Sequence, residues 1–140
     1  MPDGRNGKRK ILIVDDETDI TNSLKVGLEN KGFLVEAYND PIEALARVKA
    51  DGYDLAIFDI RMPTMTGFEL YRQFRKIDDR VGICFMTAYD VYSAEFKTVF
   101  PDIQAASFFK KPISIEKLTE GINKVLGSAR ETAEKRKVPA

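Results

Sequence analysis

Short apolar runs alternate along this chain with longer segments in which apolar residues recur every three or four positions. Four runs, at residues 11–14, 55–58, 83–86 and 107–109, are apolar almost throughout. Such runs are typical of strands that are buried on both faces of a parallel sheet. Residues 33–38 alternate apolar and polar side chains instead, so this fifth strand is expected to be half-covered, at an edge of the sheet.

Helical segments separate the runs, and the apolar residues of each segment fall on one stripe of a helix. Asp40 followed by Pro41, and Ser114 ahead of the last stripe, are favourable helix starts. Gly32 and Gly127 are predicted to mark helix ends. The stripes consist of Ile20, Leu24 and Leu28; Ile42, Leu45 and Val48; Phe68, Tyr71, Phe74 and Ile77; and Ile115, Leu118, Ile122, Val125 and Leu126.

The alternation of strand and helix predicts an α/β domain with a doubly wound parallel sheet. Helices are expected on both faces of this sheet, joined by right-handed crossovers. Ligands of such domains bind beyond the carboxyl ends of the strands, at the point where the strand order reverses. Polar residues of different chemical kinds stand at these strand ends. The four buried runs lead into Asp15 and Asp16, into Asp59, into Thr87, and into Lys110 and Lys111.

The composition limits the size of the protein and the classes of function. A chain of 140 residues with 44% hydrophobic and 31% charged residues is expected to form one globular domain. Its 22 basic and 22 acidic residues balance, so no net charge attracts nucleic acid. The chain contains no His, which removes the commonest general base and metal ligand. Any catalysis must therefore depend on carboxylates, Lys or hydroxyl groups.

The sequence also bears on the compartment. Cys84 is the only cysteine and lies inside an apolar run, so it is expected to be an inert core residue in a reducing compartment. The chain shows no signal peptide, and no run approaches the roughly 20 apolar residues that a membrane helix requires. We therefore expect a cytoplasmic location and no association with a membrane.

Each polar residue at the strand ends has an ordinary explanation when it is taken alone. Asp15, Asp16 and Glu17 would favour the start of a helix, Thr87 could simply end a strand, and Lys111 could be a surface charge. Together they predict a cleft in which three carboxylates repel one another unless a cation such as Mg2+ neutralises them. A carboxylate in such a cleft can accept a phosphoryl group when a metal and a cation hold the transferred oxygens.

Lys110 competes with Lys111 for the place in this cleft. Strand alternation turns adjacent side chains to opposite sides, so only one of the two can reach the acids. A cis peptide between Lys111 and Pro112 would aim Lys111 into the cleft, and X-Pro bonds adopt the cis form readily.

These residues, in this order, resemble the receiver domain of two-component response regulators, and the resemblance covers residues 10–126. It implies a flavodoxin-like fold with five parallel strands in the order 2-1-3-4-5. It implies that Asp59 is the phosphoacceptor and that Asp15 and Asp16 hold Mg2+ together with Asp59. The backbone carbonyl of Arg61 would be a further metal ligand.

The resemblance also assigns roles to residues at the other strand ends. Thr87 matches the switch hydroxyl that turns toward the phosphoryl group, and Lys111 matches the lysine that completes the catalytic set with Asp59 and Thr87. Phe108 occupies the position of the switch aromatic residue. Gly67 matches the glycine of the turn that follows the phosphoacceptor.

One region departs from the family's pattern. The segment 91–103 is longer than expected and contains Pro101, which would remove a hydrogen bond and clash with the preceding turn, so the fourth helix is expected to stop near Phe100. Arg61 and Tyr89 lie two residues beyond the phosphoacceptor and the switch hydroxyl. They are expected to tune the access of water to the site.

The function implied is a phosphorylation-driven switch in a phosphorelay. A partner histidine kinase or histidine phosphotransfer protein would phosphorylate Asp59, and the output would be altered contact with a downstream protein target. No enzymatic activity is expected beyond self-catalysed phosphotransfer and autodephosphorylation. A homodimer would use the face formed by the fourth helix, the fifth strand and the fifth helix.

The domain boundaries follow from the same patterns. Residues 1–9 are expected to be a flexible tail and residues 10–127 the receiver domain. Residues 128–140 form a charged tail that prolongs the last helix, frays or begins a linker. The alternative is that the chain is the receiver fragment of a larger response regulator or hybrid kinase.

Three rival functions keep a similar fold. A phosphohydrolase of the haloacid-dehalogenase type usually has a second acid two residues after its nucleophile, where this chain has Arg61. An FMN-binding flavodoxin needs a phosphate loop rich in hydroxyls and glycine after the first strand, where Asp15 and Asp16 would repel the cofactor. A scaffold that acts unphosphorylated would not need the acids, Thr87 and Lys111 together.

Overall fold

Five parallel strands form one sheet in the order 2-1-3-4-5, as predicted. The structure is a computed structural model, and it describes residues 7–48, 52–88 and 106–137. The helices are α1 (Thr18–Asn30), α2 (Pro41–Arg47), α3 (Gly67–Ile77) and a C-terminal helix (Ile115–Lys137). The strands are β1 (Lys10–Val14), β2 (Leu34–Tyr38), β3 (Leu55–Asp59), β4 (Gly82–Thr87) and β5 (Ser107–Lys110).

The central strands are buried on both faces because successive side chains point to opposite sides of the sheet. Along β1, Leu12 and Val14 belong to the core beneath α2 and α3, whereas Ile11 and Ile13 belong to the core beneath α1 and the C-terminal helix. Cys84 lies in the second of these cores and is fully buried, as its place in an apolar run indicated. Two apolar layers therefore hold the sheet rigidly between the helices.

The predicted helix starts are confirmed by their capping bonds. The side chain of Asp40 accepts a hydrogen bond from the backbone N–H of Ile42 at 3.0 Å, and Pro41 is the first residue of α2. Oγ of Ser114 accepts a bond from the N–H of Lys117 at 3.2 Å, which caps the C-terminal helix.

Gly32 ends α1, as predicted. Its φ of 97° lies in the left-handed region that favours glycine. The N–H of Phe33 then donates to the carbonyl oxygen of Leu28 at 3.1 Å, and both side chains are buried in the same core. This is the usual Schellman arrangement, and it turns the chain directly into β2.

Two expectations about the helices were wrong. The C-terminal helix does not end at Gly127 but continues to Lys137, because the following residues are mostly Ala, Arg, Glu and Lys, which are strong helix formers. Ile42 was expected on the buried stripe of α2, yet it is 55% exposed. This short helix buries Pro41 and Ala44 instead.

Other expectations fall outside the described residues. They concern the helix over residues 91–103 with its end near Phe100, and the role of Tyr89. In the part of the chain that the structure describes, no helix combines the length and apolar character needed to cross a membrane.

Candidate functional site

The polar residues predicted at the strand ends meet at the carboxyl edge of the sheet. β3 pairs with β4 so that Asp59 lies opposite Met86, and β4 pairs with β5 so that Thr87 lies opposite Lys110. The backbone N–H of Lys111 donates to the carbonyl oxygen of Thr87 at 2.7 Å. These pairings create a cleft of about 240 Å3 at this edge. It is lined by Asp16, Glu17, Asp59, Arg61, Thr87, Ala88 and Lys111.

Three carboxylates form a compact cluster in and beneath this cleft. One oxygen each from Asp15, Asp16 and Asp59 lies within 4.8 Å of the others. Asp15 is completely buried and Asp59 is 5% exposed, whereas Asp16 is partly exposed. Carboxylates held so close are favourable only with a positive charge between or beside them.

Asp15 shows where such a charge is needed. Its Oδ1 accepts a hydrogen bond from the N–H of Glu17 at 2.9 Å. Its Oδ2 pairs with Nζ of Lys111 at 2.7 Å. A carboxylate oxygen with one such partner still has a second acceptor position. A buried carboxylate oxygen with an unused acceptor position, next to two further carboxylates, suits a hard divalent cation.

Lys111 is the cation that the structure brings to the acids. Besides the contact with Asp15, its Nζ lies 3.4 Å from Oδ1 of Asp59 and 3.3 Å from Oε1 of Glu17. Burial alone would lower the pKa of Lys111, but the hydrogen bond and charge of Asp15, with further contributions from Asp59 and Glu17, raise it. Lys111 is therefore charged at any physiological pH.

Lys111, rather than Lys110, occupies the place for which the two lysines compete. Lys110 is exposed, whereas the side chain of Lys111 is 11% exposed. The peptide bond between Lys111 and Pro112 is cis, as predicted.

Asp59 has the most perturbed acidity in the cleft. Burial raises its pKa, the charge of Asp15 raises it further, and Lys111 opposes both effects, with a result of about 7. The charge of Asp16 adds to the increase. In the absence of a bound cation, Asp59 is therefore partly protonated near neutral pH.

The loop after β3 is built closely around Asp59. The N–H of Gly67 donates to the carbonyl oxygen of Ile60 at 2.8 Å, which closes the loop over residues 60–67. A Cβ atom on Gly67 would collide with the backbone oxygen of Asp59, so no other residue fits without a shift of this loop. Arg61 is exposed within the loop and lines the cleft.

Thr87 and Phe108 lie on adjacent strands but in different surroundings. Thr87 is 4% exposed and lines the cleft. Phe108 is half-buried on the α3 side of the sheet, where its ring stacks on Phe85 with centroids 5.6 Å apart. Phe85 also makes an edge contact with Phe68 of α3 at 5.1 Å, so Phe108 joins an aromatic cluster.

Sequence reasoning missed two residues that touch the acids. Glu17 was expected only to favour a helix start, although its N–H donates to Asp15 and its carboxylate pairs with Lys111. Asn39 was not considered, although its side chain donates to the backbone oxygen of Asp15 at 2.9 Å. Only the expected pairing of β1 with β2 could have indicated that Asn39 lies near Asp15. An Asn in a loop is too common to mark a site by itself.

Comparisons with known proteins show which family the chain is similar to. Residues 11–123 match the profile of the response regulator receiver domain. The chain is 35% identical over 117 residues to the response regulator MprA of Mycobacterium leprae, which covers 84% of this chain and 50% of that protein. It is 34% identical over 119 residues to the uncharacterized transcriptional regulatory protein YkoG of Bacillus subtilis, covering 85% and 51%. The chain thus spans about half the length of these curated relatives.

A solved structure shares the fold over most of the chain. It is a response regulator receiver domain protein, described as CheY-like, from Methanospirillum hungatei JF-1. The two superpose with a TM-score of 0.80 at 31% sequence identity, and the match covers 90% of this chain and 99% of that one.

Proposed function

Since this chain belongs to the response regulator receiver domain family of two-component systems, we propose that Asp59 is its phosphoacceptor. The observation that carries the proposal is the contact set of Asp59. Its carboxylate lies beside those of Asp15 and Asp16 and 3.4 Å from the ammonium of Lys111. This combination of a nucleophilic carboxylate, a cation and a candidate metal site is what phosphoryl transfer to an acid requires.

Mg2+ is the cofactor that we propose for the acidic cluster. Asp15, Asp16 and Asp59 would hold it, with the backbone carbonyl of Arg61 as a further ligand. All four groups offer oxygen, which suits Mg2+ better than metals that prefer nitrogen or sulfur. When bound, the ion supplies positive charge that ionises Asp59 and neutralises the oxygens of the transferred group.

The chain's own residues would then carry out the transfer. An ionised oxygen of Asp59 attacks the phosphorus of a phosphohistidine on the partner; the new P–O bond forms as the P–N bond breaks, and the imidazole leaves with its electron pair. Lys111 leaves its ion pairs with Asp15 and Asp59 and pairs with a phosphoryl oxygen. The hydroxyl of Thr87 donates to another phosphoryl oxygen. Both contacts are absent before transfer, so they stabilise the phosphorylated state selectively.

The output follows from the new contacts of Thr87. As this residue moves toward the phosphoryl group, space opens for Phe108 to turn inward from its stack on Phe85. The surface shown to other proteins changes with it. Phosphorylation adds about two negative charges, which is sufficient to reorder such contacts without changing the fold.

The partners that we propose are a histidine kinase or histidine phosphotransfer protein and a downstream protein target, in the cytoplasm. The chain is a signalling switch, and its chemistry is limited to phosphotransfer to itself and autodephosphorylation. The receiver domain would span residues 10–127. A homodimer through the fourth predicted helix, the fifth strand and the last helix remains a prediction, because the fourth predicted helix lies outside the described residues.

The direct test is phosphorylation by acetyl phosphate in the presence of Mg2+. Intact-mass analysis should show the addition of one phosphoryl group, which hydroxylamine removes because it is an acyl phosphate. Asp59→Asn should abolish the modification, whereas Asp54→Asn, at an acid near the opposite end of β3, should leave it unchanged. An equal yield in Asp59→Asn would contradict the proposal.

A further inference from the structure

Asn39 joins the segment after β2 to the acidic end of β1 through two side-chain hydrogen bonds. Its Nδ2 donates to the carbonyl oxygen of Asp15 at 2.9 Å and to Oγ1 of Thr21 at 2.8 Å. A carbonyl oxygen can only accept, so the nitrogen of the amide must face Asp15. Oγ1 of Thr21 donates in turn to the carbonyl oxygen of Thr18 at 3.0 Å, which ties the amide to the first turn of α1.

The carbonyl group that Asn39 binds belongs to the peptide unit between Asp15 and Asp16. Because a peptide unit is planar, fixing its oxygen also fixes the direction in which the chain continues to Asp16. The preceding peptide is fixed as well, since the N–H of Asp15 donates to the carbonyl oxygen of Tyr38 at 3.1 Å. The backbone of both acids is therefore oriented by the neighbouring residues Tyr38 and Asn39.

We propose that Asn39 is a positioning residue for the acidic pair, holding the Asp15–Asp16 peptide in the orientation in which both carboxylates face the cation. The role rests on the Mg2+ site of the proposed function. The amide nitrogen of Asn39 is committed to the carbonyl oxygen of Asp15 and to Thr21, so its link to the acids runs through this peptide.

The residue type suits the position. An amide nitrogen has two hydrogens and can serve both acceptors at once. It does so without adding a charge beside three carboxylates. A Lys or Arg would also donate, but its charge would compete with the metal ion for the acids.

The test is the Mg2+ dissociation constant of the full chain, measured by isothermal titration calorimetry. Asn39→Ala removes both donors and is expected to raise the constant by about three- to tenfold, which corresponds to the loss of one or two hydrogen bonds. Asn39→Leu keeps the size of the side chain and should give the same increase. Asn22→Ala is the matched control, since Asn22 is exposed on α1 directly after Thr21, and it should keep the wild-type value.

A second measurement separates positioning from a purely structural role. Thr21→Val removes one of the two acceptors but keeps the bond to Asp15, so it should raise the dissociation constant less than Asn39→Ala does. An equal increase in the dissociation constant would show that the bond to Thr21 in α1, and not the bond to Asp15, controls Mg2+ binding, and it would overturn the proposal. Unfolding in urea without Mg2+ gives the stability of each variant.

The remaining outcomes distinguish this proposal from the one on which it rests. If both Asn39 variants lose stability but bind Mg2+ as tightly as the wild type, Asn39 is a structural link and its positioning role is refuted. If the wild type itself binds no Mg2+, the metal site fails first, and the role of Asn39 fails with it.

Discussion

Lys111 is the residue on which the resting state of the cleft depends. It is the ion-pair partner of Asp15, which is completely buried, and it also lies next to Asp59. Removing one partner of a buried pair leaves the other charge without compensation. Lys110, its exposed neighbour, offers a control that changes the same charge one residue away.

We therefore expect Lys111→Met to lower the free energy of unfolding by about 3–5 kcal/mol at pH 7 without Mg2+, because Asp15 loses its counter-ion. Lys110→Met should change it by about 0.5 kcal/mol or less, as exposed substitutions usually do. Urea unfolding followed by circular dichroism measures both. Equal effects of the two substitutions would show that the contacts of Lys111 do not stabilise the resting state.

Asp59 makes stability depend on pH in a direction opposite to that of most acids. The pKa of Asp59 is about 7 in the folded protein, against 3.8 for an unperturbed Asp. Between these two pH values, Asp59 is protonated in the folded state but has lost its proton in the unfolded state. The contribution of Asp59 to stability is therefore complete below pH 4 and disappears as the pH rises through 7. The cause is burial together with the charge of Asp15.

In the absence of Mg2+, the free energy of unfolding should therefore fall relative to Asp59→Asn between about pH 4 and pH 7. The substitution removes the titrating group, so the difference between the two proteins isolates the contribution of Asp59. Urea unfolding at half-unit pH steps measures it. A constant difference across this range would mean that Asp59 titrates normally.

At the scale of elements, the β3–α3 loop tolerates little change, because the backbone of Gly67 packs directly on that of Asp59. Gly67→Ala should lower the free energy of unfolding by about 1–3 kcal/mol, as overpacking does, and slow phosphorylation by acetyl phosphate.

Gly127→Ala is expected to have the opposite effect on the free energy of unfolding. No atom of the described residues lies within 4 Å of its Cβ position in the C-terminal helix, so it should stabilise the protein by about 0.5–1 kcal/mol. Urea unfolding tests both signs.

Elements were predictable where one local signal dominated. β1 is apolar from Ile11 to Val14 and β3 from Leu55 to Phe58, and an acid follows each of these runs. Asp40–Pro41 and Gly32 are residues that strongly favour helix caps. The signal failed where tertiary context decides. Gly127 is a helix breaker by propensity but lies within a helix that its C-terminal sequence favours. Ile42 follows the period of a stripe, but α2 buries Pro41 and Ala44 and leaves Ile42 exposed.

At the scale of the whole molecule, the strand order explains why so much of the site could be anticipated. A parallel sheet brings the carboxyl ends of all its strands to one edge. The positions of Asp59, Thr87 and Lys111 after apolar runs were therefore enough to predict that these residues meet. The contacts of Glu17 and Asn39 could not be predicted from the sequence, because they depend on how far side chains reach across loops. The aromatic stack of Phe108 on Phe85 likewise depends on packing that no periodicity reports.

A ligand that binds only the folded chain stabilises the whole molecule, so Mg2+ should raise the thermal midpoint. At a concentration 100 times its dissociation constant, the ion should add about 2.7 kcal/mol to the free energy of unfolding, and EDTA should reverse the gain. Asp16→Asn should reduce the shift, since it removes one of three clustered carboxylates. Asp19→Asn removes an exposed acid of α1 and should keep the full shift, which excludes a general salt effect. Scanning calorimetry measures all three proteins, and a shift in Asp16→Asn equal to that of the wild type would place the ion elsewhere.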